Sequence, residues 1–325
     1  MKSFNKHIPD WFILAIFAMI FLAWLVPGIG MRSAPLNLSL VIDIGITLIF
    51  FFYGLKLNFS QIKQGMSNWR MHIAIQVITF VIFPLLVLPF YPLFKGTDYG
   101  MYWLGVFFMA ALPSTVSSSV VMVSIARGNV PGAIFNASIS GILGIAMTPF
   151  WIGLVLNTQQ GGFNFSRIII QLIWQIIIPV AAGLLLNRYF YKWASRSMKV
   201  LGNFDKIIIL LVVYESFSNS FMSGIFAAVS WLTLTVLVAA VVALFFMALS
   251  ITGIMAKKMH FSIEDKITLQ FSGSKKSLVH GSVFYNVIFP GATGSGVYLL
   301  PIMIYHAFQL FFVSVLAQKY QKRDT

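Results

Sequence analysis

Two adjacent lysines, Lys275 and Lys276, stand inside the small and apolar run QFSGSKKSLV at 270–279. An ammonium in such a run works as a fixed charge: it pairs with a carboxylate, neutralises backbone dipoles or receives an anion. Lys275 lies nine residues past Lys266, roughly 14 Å further along at 1.5 Å per helical residue, so its head group cannot easily reach a membrane surface. On a regular helix the two side chains diverge by about 100°, and a shared neighbour would require unwound backbone. A wide water-filled vestibule is the other arrangement that tolerates both. Two carboxylates are similarly isolated, Asp43 in IDIGITLIFFF and Glu215 in LVVYESFSNS. A charge at bilayer depth costs at least about 2.5–3.5 kcal/mol on insertion scales, so each acid turns inward to a partner, caps a helix or stays protonated. Either acid is a candidate charge partner for a lysine, and such a pair can change protonation during a working cycle.

The remaining chemistry lies in hydroxyls and amides. The run ALPSTVSSSV at 111–120 places Ser114, Thr115, Ser117, Ser118 and Ser119 just after the helix-breaking Pro113. Ser272, Ser274 and Ser277 surround the lysines in the same manner. Unwinding at such runs frees N–H and C=O groups that hydrocarbon cannot satisfy, so the breaks must face protein or water, where they can hold ions and polar groups. Close helix packing by small residues is the alternative use of the same serines. Asn136, Ser138 and Ser140 follow on a segment whose Gly132, Gly141 and Gly144 permit close approach. Gln76 is a lone amide in an apolar run, fit for ion contact or for a helix–helix hydrogen bond. His280 and His306 are isolated and read as structural. No spacing of His, Asp or Glu fits a metal centre, no cofactor motif occurs, and the absence of cysteine excludes thiol catalysis and disulfides.

The elements that position these residues follow from composition. Of the 325 residues 59% are hydrophobic and 9% charged, against roughly 25% charged in an average soluble domain. The apolar excess must face lipid. Runs of about 20 apolar residues, long enough to cross a hydrocarbon core, fall near 11–29, 38–57, 72–94, 101–126, 130–155, 165–187, 205–226, 229–255, 266–289 and 293–317. The first is too long for the core of a signal peptide and lacks a small-residue cleavage site, so it is expected to remain as a membrane helix. Of the 22 Lys and Arg residues, 17 fall on one side of this map, Arg32, Lys95 and Arg167 on the other, and two inside span 9. That bias puts both termini in the cytoplasm, accounts for the net charge of +14 and leaves no reason to invoke nucleic acid.

Ten spans divide into residues 1–160 and 161–325, five spans each, so the second half enters from the opposite side. The polar breaks in spans 4 and 9 are then equivalent, as are Asp43 and Glu215 in spans 2 and 7. Paired broken helices at corresponding positions are a sequence pointer to a transporter site near the bilayer midplane. The expected fold is an all-α membrane protein of two inverted five-helix repeats whose broken helices 4 and 9 cross.

The runs LPSTVSSSVVMVSIARGNVPGAIFNASISG (112–141), FSGSKKSLVHG (271–281) and IDIGITLIFFFYGLKL (42–57) resemble the bile acid:sodium symporter family, and most closely its divergent SBF-like branch. The resemblance implies a core of spans 3–5 and 8–10, a panel of spans 1, 2, 6 and 7, and a substrate bound between them. It places sodium-contacting positions at Ser119 and Gln76. The neighbouring asparagine of the family falls on Val120, the span 5 hydroxyls on Ala133 and Ala137, a glutamate on Phe271 and a ligand glutamine on Lys275. A ring in place of an anion and an ammonium in place of an amide remove what would hold Na⁺.

These readings converge on a secondary transporter of a small organic anion in the inner membrane, coupled to H⁺ or Na⁺ or uncoupled, with Lys275 as cation substitute or anion contact. The competing classes are a sensor or regulatory protein that keeps the fold without transport, and an intramembrane enzyme using Asp43 and His280.

Overall fold

The structure, a computed structural model, describes residues 11–30, 38–56, 68–115, 117–160, 165–222, 224, 230–289 and 295–323. Among the described residues every regular element is a helix. That suits a lipid solvent, which offers no hydrogen bonds and so requires each segment to close its own backbone. In chain order these are α1 (Trp11–Leu25), α2 (Leu38–Lys56), α3 (Trp69–Phe94), α4 (Gly100–Ala111), α5 (Ser117–Ile125), α6 (Val130–Gln160) and α7 (Ser166–Arg196). Then come α8 (Met198–Met222), α9 (Trp231–Lys258), α10 (Ile263–Gly273), α11 (Leu278–Ile288) and α12 (Ser295–Gln321).

Six of them, α2, α3, α6, α7, α9 and α12, are long and apolar enough to cross a membrane. They coincide with expected spans 2, 3, 5, 6, 8 and 10. Helices α1 and α4 are apolar but shorter. Expected spans 4 and 9 are each a pair of short helices, α4 with α5 and α10 with α11, interrupted at the polar runs. The chain is an integral membrane protein.

Two compact units divide the chain. The first comprises Met1–Lys56, Pro179–Val229 and Gly291–Gly296. Here α8 packs on α1 and α2. Helix α2 also meets the C-terminal part of α7 where Gly54 faces Gly183; a Cβ on either would strike the main chain of the other helix. Close backbone approach of this kind is how membrane helices gain packing without a hydrophobic driving force. Polar ties secure the ends: Asn187 Nδ2 donates to Leu55 O at 2.8 Å, Lys56 Nζ lies 3.4 Å from Asp205 Oδ2, and Tyr214 donates to Val26 O at 2.5 Å.

The second unit comprises Leu57–Ile178, Ser230–Pro290 and Val297–Thr325. Its centre is α10, which packs on α3, α5, α6 and α9. Aromatic rings pack against one another elsewhere in the unit: Phe245 sits edge-on to Tyr305, Phe308 and Phe312, and Trp103 stacks on Phe107. One end of this unit is pinned by polar groups. Asp265 receives Asn68 Nδ2 at 2.6 Å and Asn129 Nδ2 at 2.8 Å, tying the start of α10 to the starts of α3 and α6. Arg323, past the end of α12, donates to Ala126 O at 2.7 Å and Arg127 O at 2.8 Å, closing the C-terminus of α5. These ties fix where the interrupted helices begin and end, and hence where their breaks meet.

Candidate functional site

The break between α4 and α5 begins at Pro113, which lacks an N–H, so the last carbonyls of α4 need other donors. Each has one. Met109 O receives Leu112 N–H at 3.2 Å, Ala111 O receives Thr148 Oγ1 at 2.8 Å, and Pro113 O receives Ser277 N–H at 2.9 Å. The remaining two, Ala110 O and Leu112 O, receive the Lys276 ammonium at 2.7 and 2.8 Å. An unsatisfied carbonyl at this depth would cost several kcal/mol, so the side chains that close this list also keep the helix broken.

The second break, between Gly273 and Leu278, is built from the same kinds of group. Ser119 Oγ donates to Phe271 O at 3.1 Å and Ser114 Oγ to Ser272 O at 2.5 Å, while Ser114 N–H donates to Ser140 Oγ at 3.0 Å. From α12, Tyr305 donates to Ser274 O at 2.6 Å. Gln309 clamps one peptide from both sides: its Oε1 accepts Lys276 N–H at 2.9 Å and its Nε2 donates to Lys276 O at 2.8 Å. Ser277 caps α11, accepting His280 N–H at 3.3 Å. The breaks therefore hold each other open.

Both lysine side chains are 0% exposed. Because the backbone is unwound at 274–277, they point to different acceptors. Lys276 Nζ donates to Thr79 O, Ala110 O and Leu112 O at 2.7–2.8 Å and lies 4.1 Å from the Phe83 ring centroid. Lys275 Nζ has one acceptor among the described residues, Ser118 O at 3.0 Å, on the first turn of α5. The vestibule arrangement is thus replaced by full enclosure.

Thr79 supplies its carbonyl because α3 passes through a π turn at Ile78–Ile82. There the Phe83 N–H bonds Ile78 O, and the next residue, Pro84, has no N–H to offer Thr79 O. A π turn with a proline behind it leaves a carbonyl for a side chain to take, as such bulges often do at functional places.

Around the lysines, Ser118 Oγ donates to Thr115 Oγ1 at 2.9 Å, and Thr115 Oγ1 pairs with Ser119 Oγ at 2.7 Å. Since Ser119 donates onward to Phe271 O, the hydroxyls run in one direction from Ser118 to the α10 terminus. Ser274 Oγ turns back to Gln270 O at 2.5 Å. Ser272 Oγ, Gln76 Oε1 and Thr79 Oγ1 are buried and have no partner among the described residues.

Of the residues expected from sequence, Ser114, Thr115, Ser118, Ser119, Ser272, Ser274, Lys275, Lys276 and Ser277 come together at the meeting of the two breaks. The side chain of Ser117 lies outside the described residues. Asn136 and Gln76 form a separate pair, Gln76 Nε2 donating to Asn136 Oδ1 at 3.2 Å, with Asn136 Nδ2 2.6 Å from His72 Nδ1. Ser138 Oγ is spent on Ile134 O in its own helix, and Ser140 makes the contact to the break instead. Lys275, expected as cation substitute or anion contact, and Lys276 both lie at this meeting, and among the described residues the Lys276 ammonium has the greater number of oxygen acceptors. Asp43 and Glu215 belong to the first unit. Asp43 is exposed on α2, and Glu215, 5% exposed on α8, accepts a hydrogen bond from Ser39. Thr79, Phe83, Tyr305 and Gln309 escaped the sequence reading.

A family profile described as the SBF-like CPA transporter family matches residues 10–322. The chain is 39% identical to uncharacterized protein PA2026 of Pseudomonas aeruginosa, over 98% of this chain and 95% of that protein. It is 34% identical to the putative symporter YfeH of Escherichia coli, over 99% and 96% respectively. With sodium/bile acid cotransporter 7-B of Xenopus laevis it shares 28% identity, over 94% and 90%.

Proposed function

Because the chain belongs to the SBF-like CPA transporter family, we propose that it is a secondary transporter that moves a small organic anion across the bilayer by alternating access. One observation carries the choice of an anion. The Lys275 ammonium is fully buried, has one carbonyl acceptor among the described residues and lies against the first turn of α5. A helix N-terminus is itself partly positive, so a buried ammonium placed there, with one acceptor among the described residues, favours a negative partner. A carboxylate or sulfonate brought to that place would be met by the Lys275 ammonium, with the Ser118–Thr115–Ser119 hydroxyls beside it and the buried Ser272 hydroxyl on the facing break. The α4 and α10 breaks supply the main-chain dipoles that hold this arrangement. The two interrupted helices would expose the anion first to one side of the membrane and then to the other.

The inverted repeat of residues 1–160 and 161–325 is part of the same reading. Two short helix pairs, each broken at a serine-rich run, support it. Coupling to protons fits an ammonium with one acceptor, because such a group can donate its bond in either protonation state.

Reconstituted protein in proteoliposomes tests the proposal. Uptake of a panel of small carboxylates and sulfonates should respond to an imposed pH gradient more than to a sodium gradient, and Lys275→Ala should abolish it. Strict sodium dependence with Lys275→Ala still active would overturn the assignment.

A further inference from the structure

The surroundings of Lys276 differ in kind from those of Lys275. Three main-chain oxygens, from Thr79, Ala110 and Leu112, lie 2.7–2.8 Å from its nitrogen, and the face of Phe83 closes the fourth side at 4.1 Å. An ammonium has three donors and no acceptor, whereas a neutral amine has two N–H groups and a lone pair that would face a carbonyl oxygen. Three acceptors therefore fit the charged form and no other. Rings of carbonyl oxygens without counter-anions are also how proteins hold dehydrated monovalent cations. The aromatic face adds a further electrostatic attraction for a cation.

The origin of these oxygens sharpens the point. Ala110 O and Leu112 O are at the C-terminal end of α4, where the helix dipole is negative. Thr79 O is released by the π turn and by Pro84. Three independent local features, two helix interruptions and one proline, aim main-chain oxygens at one point. Among the described residues no carboxylate takes part, and the tether carrying the cation is itself clamped at its peptide by Gln309.

We propose that the carbonyls of Thr79, Ala110 and Leu112, with the Phe83 ring, form a monovalent-cation site that the chain keeps filled with its own Lys276 ammonium. The tethered cation holds the two breaks together permanently, so this point in the protein requires no dissociable ion. Nitrogen–oxygen distances of 2.7–2.8 Å match the oxygen distances of potassium better than those of sodium. Once the tether is cut, the vacated site should prefer alkylammonium and K⁺ to Na⁺. The inference does not depend on which solute is carried, and its test reads stability rather than transport.

Thermal unfolding of purified protein, followed by tryptophan fluorescence, supplies that test in choline, sodium, potassium and ethylammonium chlorides at equal ionic strength. Wild type should show one midpoint in all four salts. Lys276→Ala should unfold several degrees lower in choline and recover part of that loss in ethylammonium and in potassium, less in sodium. Lys276→Met, which fills the space without a charge, should be lowered and gain nothing from any salt. A Lys276→Met midpoint equal to wild type, or a Lys276→Ala midpoint indifferent to all four cations, would overturn the proposal. Should Lys276→Ala yield no folded protein, nitrogen-15 spectra of lysine-labelled wild type in lipid decide instead. The resonance absent from Lys276→Arg must carry three slowly exchanging protons and stay in place when sodium replaces choline; two protons, or fast exchange, would overturn it.

Discussion

Lys275 and Lys276 are neighbours in sequence and equally buried, yet the number of oxygens around each nitrogen assigns them different work. Replacing Lys276 by Met leaves three carbonyls without a donor, and a buried acceptor left unsatisfied costs about 1–3 kcal/mol. Among the described residues, replacing Lys275 by Met strands one carbonyl, that of Ser118, which lies within α5. Thermal midpoints of the two variants should therefore differ, Lys276→Met falling well below Lys275→Met. Anion uptake should be lost in Lys275→Met while its midpoint stays near wild type. Equal midpoints would show that the three carbonyl contacts do not distinguish the pair. Residue types alone mark both lysines as candidates but cannot rank them, because the acceptors of Lys276 are main-chain oxygens and every residue has one. The one signal for Lys276 that lay in the sequence was the pair of prolines: Pro84 and Pro113 each remove a donor next to a carbonyl that the ammonium takes. Ser138 and Ser140 show the same limit. Both are small hydroxyls on one helix, and only the position of Pro113 against α6 decides that Ser140 reaches the break.

At the level of elements, two devices keep the breaks in place, and each can be disturbed alone. Pro84→Ala returns an N–H to α3 within reach of the carbonyls that the π turn releases. The helix should gain from the change, since proline in a helix interior is about 3 kcal/mol worse than alanine. Lys276 should lose one of its three acceptors, a bond to a charged donor being worth about 1.5–3 kcal/mol. The expected outcome is a midpoint no lower than wild type together with uptake slowed tenfold or more. Unchanged uptake would mean that the Thr79 carbonyl is dispensable. The second device is the clamp from α12. Gln309→Met removes both hydrogen bonds to the Lys276 peptide, so amide hydrogen exchange in the segment 274–277 should accelerate while α10 and α11 keep their protection. Exchange unaltered in that segment would show that Tyr305 and the Pro113 carbonyl hold it unaided. The existence of both breaks was legible, because serine-rich runs beside proline or paired lysines interrupt apolar stretches. Their fastening was not. Gln309 and Tyr305 sit in the apolar run of α12 among residues such as His306 and Ser314, and nothing in their spacing singles them out. The π turn escaped for a related reason: it is set by hydrogen-bond register, which composition does not encode.

At the scale of the whole molecule, the charge distribution and the helix lengths make one joint demand. Among the described residues six helices are long and apolar enough to cross; for ten crossings the two interrupted pairs, α1 and α8 must cross as well. On the proposed topology the 17 Lys and Arg residues on one side would lie in the cytoplasm. Helicity and the long spans were readable because apolar runs of about 20 residues have few other physical uses. The interrupted spans are harder to count, since each half is shorter than a bilayer. The chain contains no cysteine, so single cysteines can be introduced without background. Thr97 lies in the exposed turn after α3, and Lys322 lies exposed beyond α12. Between them the proposed topology has seven crossings, an odd number, which puts them on opposite faces. In spheroplasts a membrane-impermeant maleimide should label Thr97→Cys directly and Lys322→Cys only after permeabilisation. If α4 with α5, or α10 with α11, failed to cross, the count would become even and both cysteines would react from the same side. Because a charge-based orientation and an odd count are both required for the expected pattern, labelling of Lys322→Cys in intact spheroplasts would reject the ten-span arrangement or its orientation. Labelling of Thr97→Cys in the same sample would then say which.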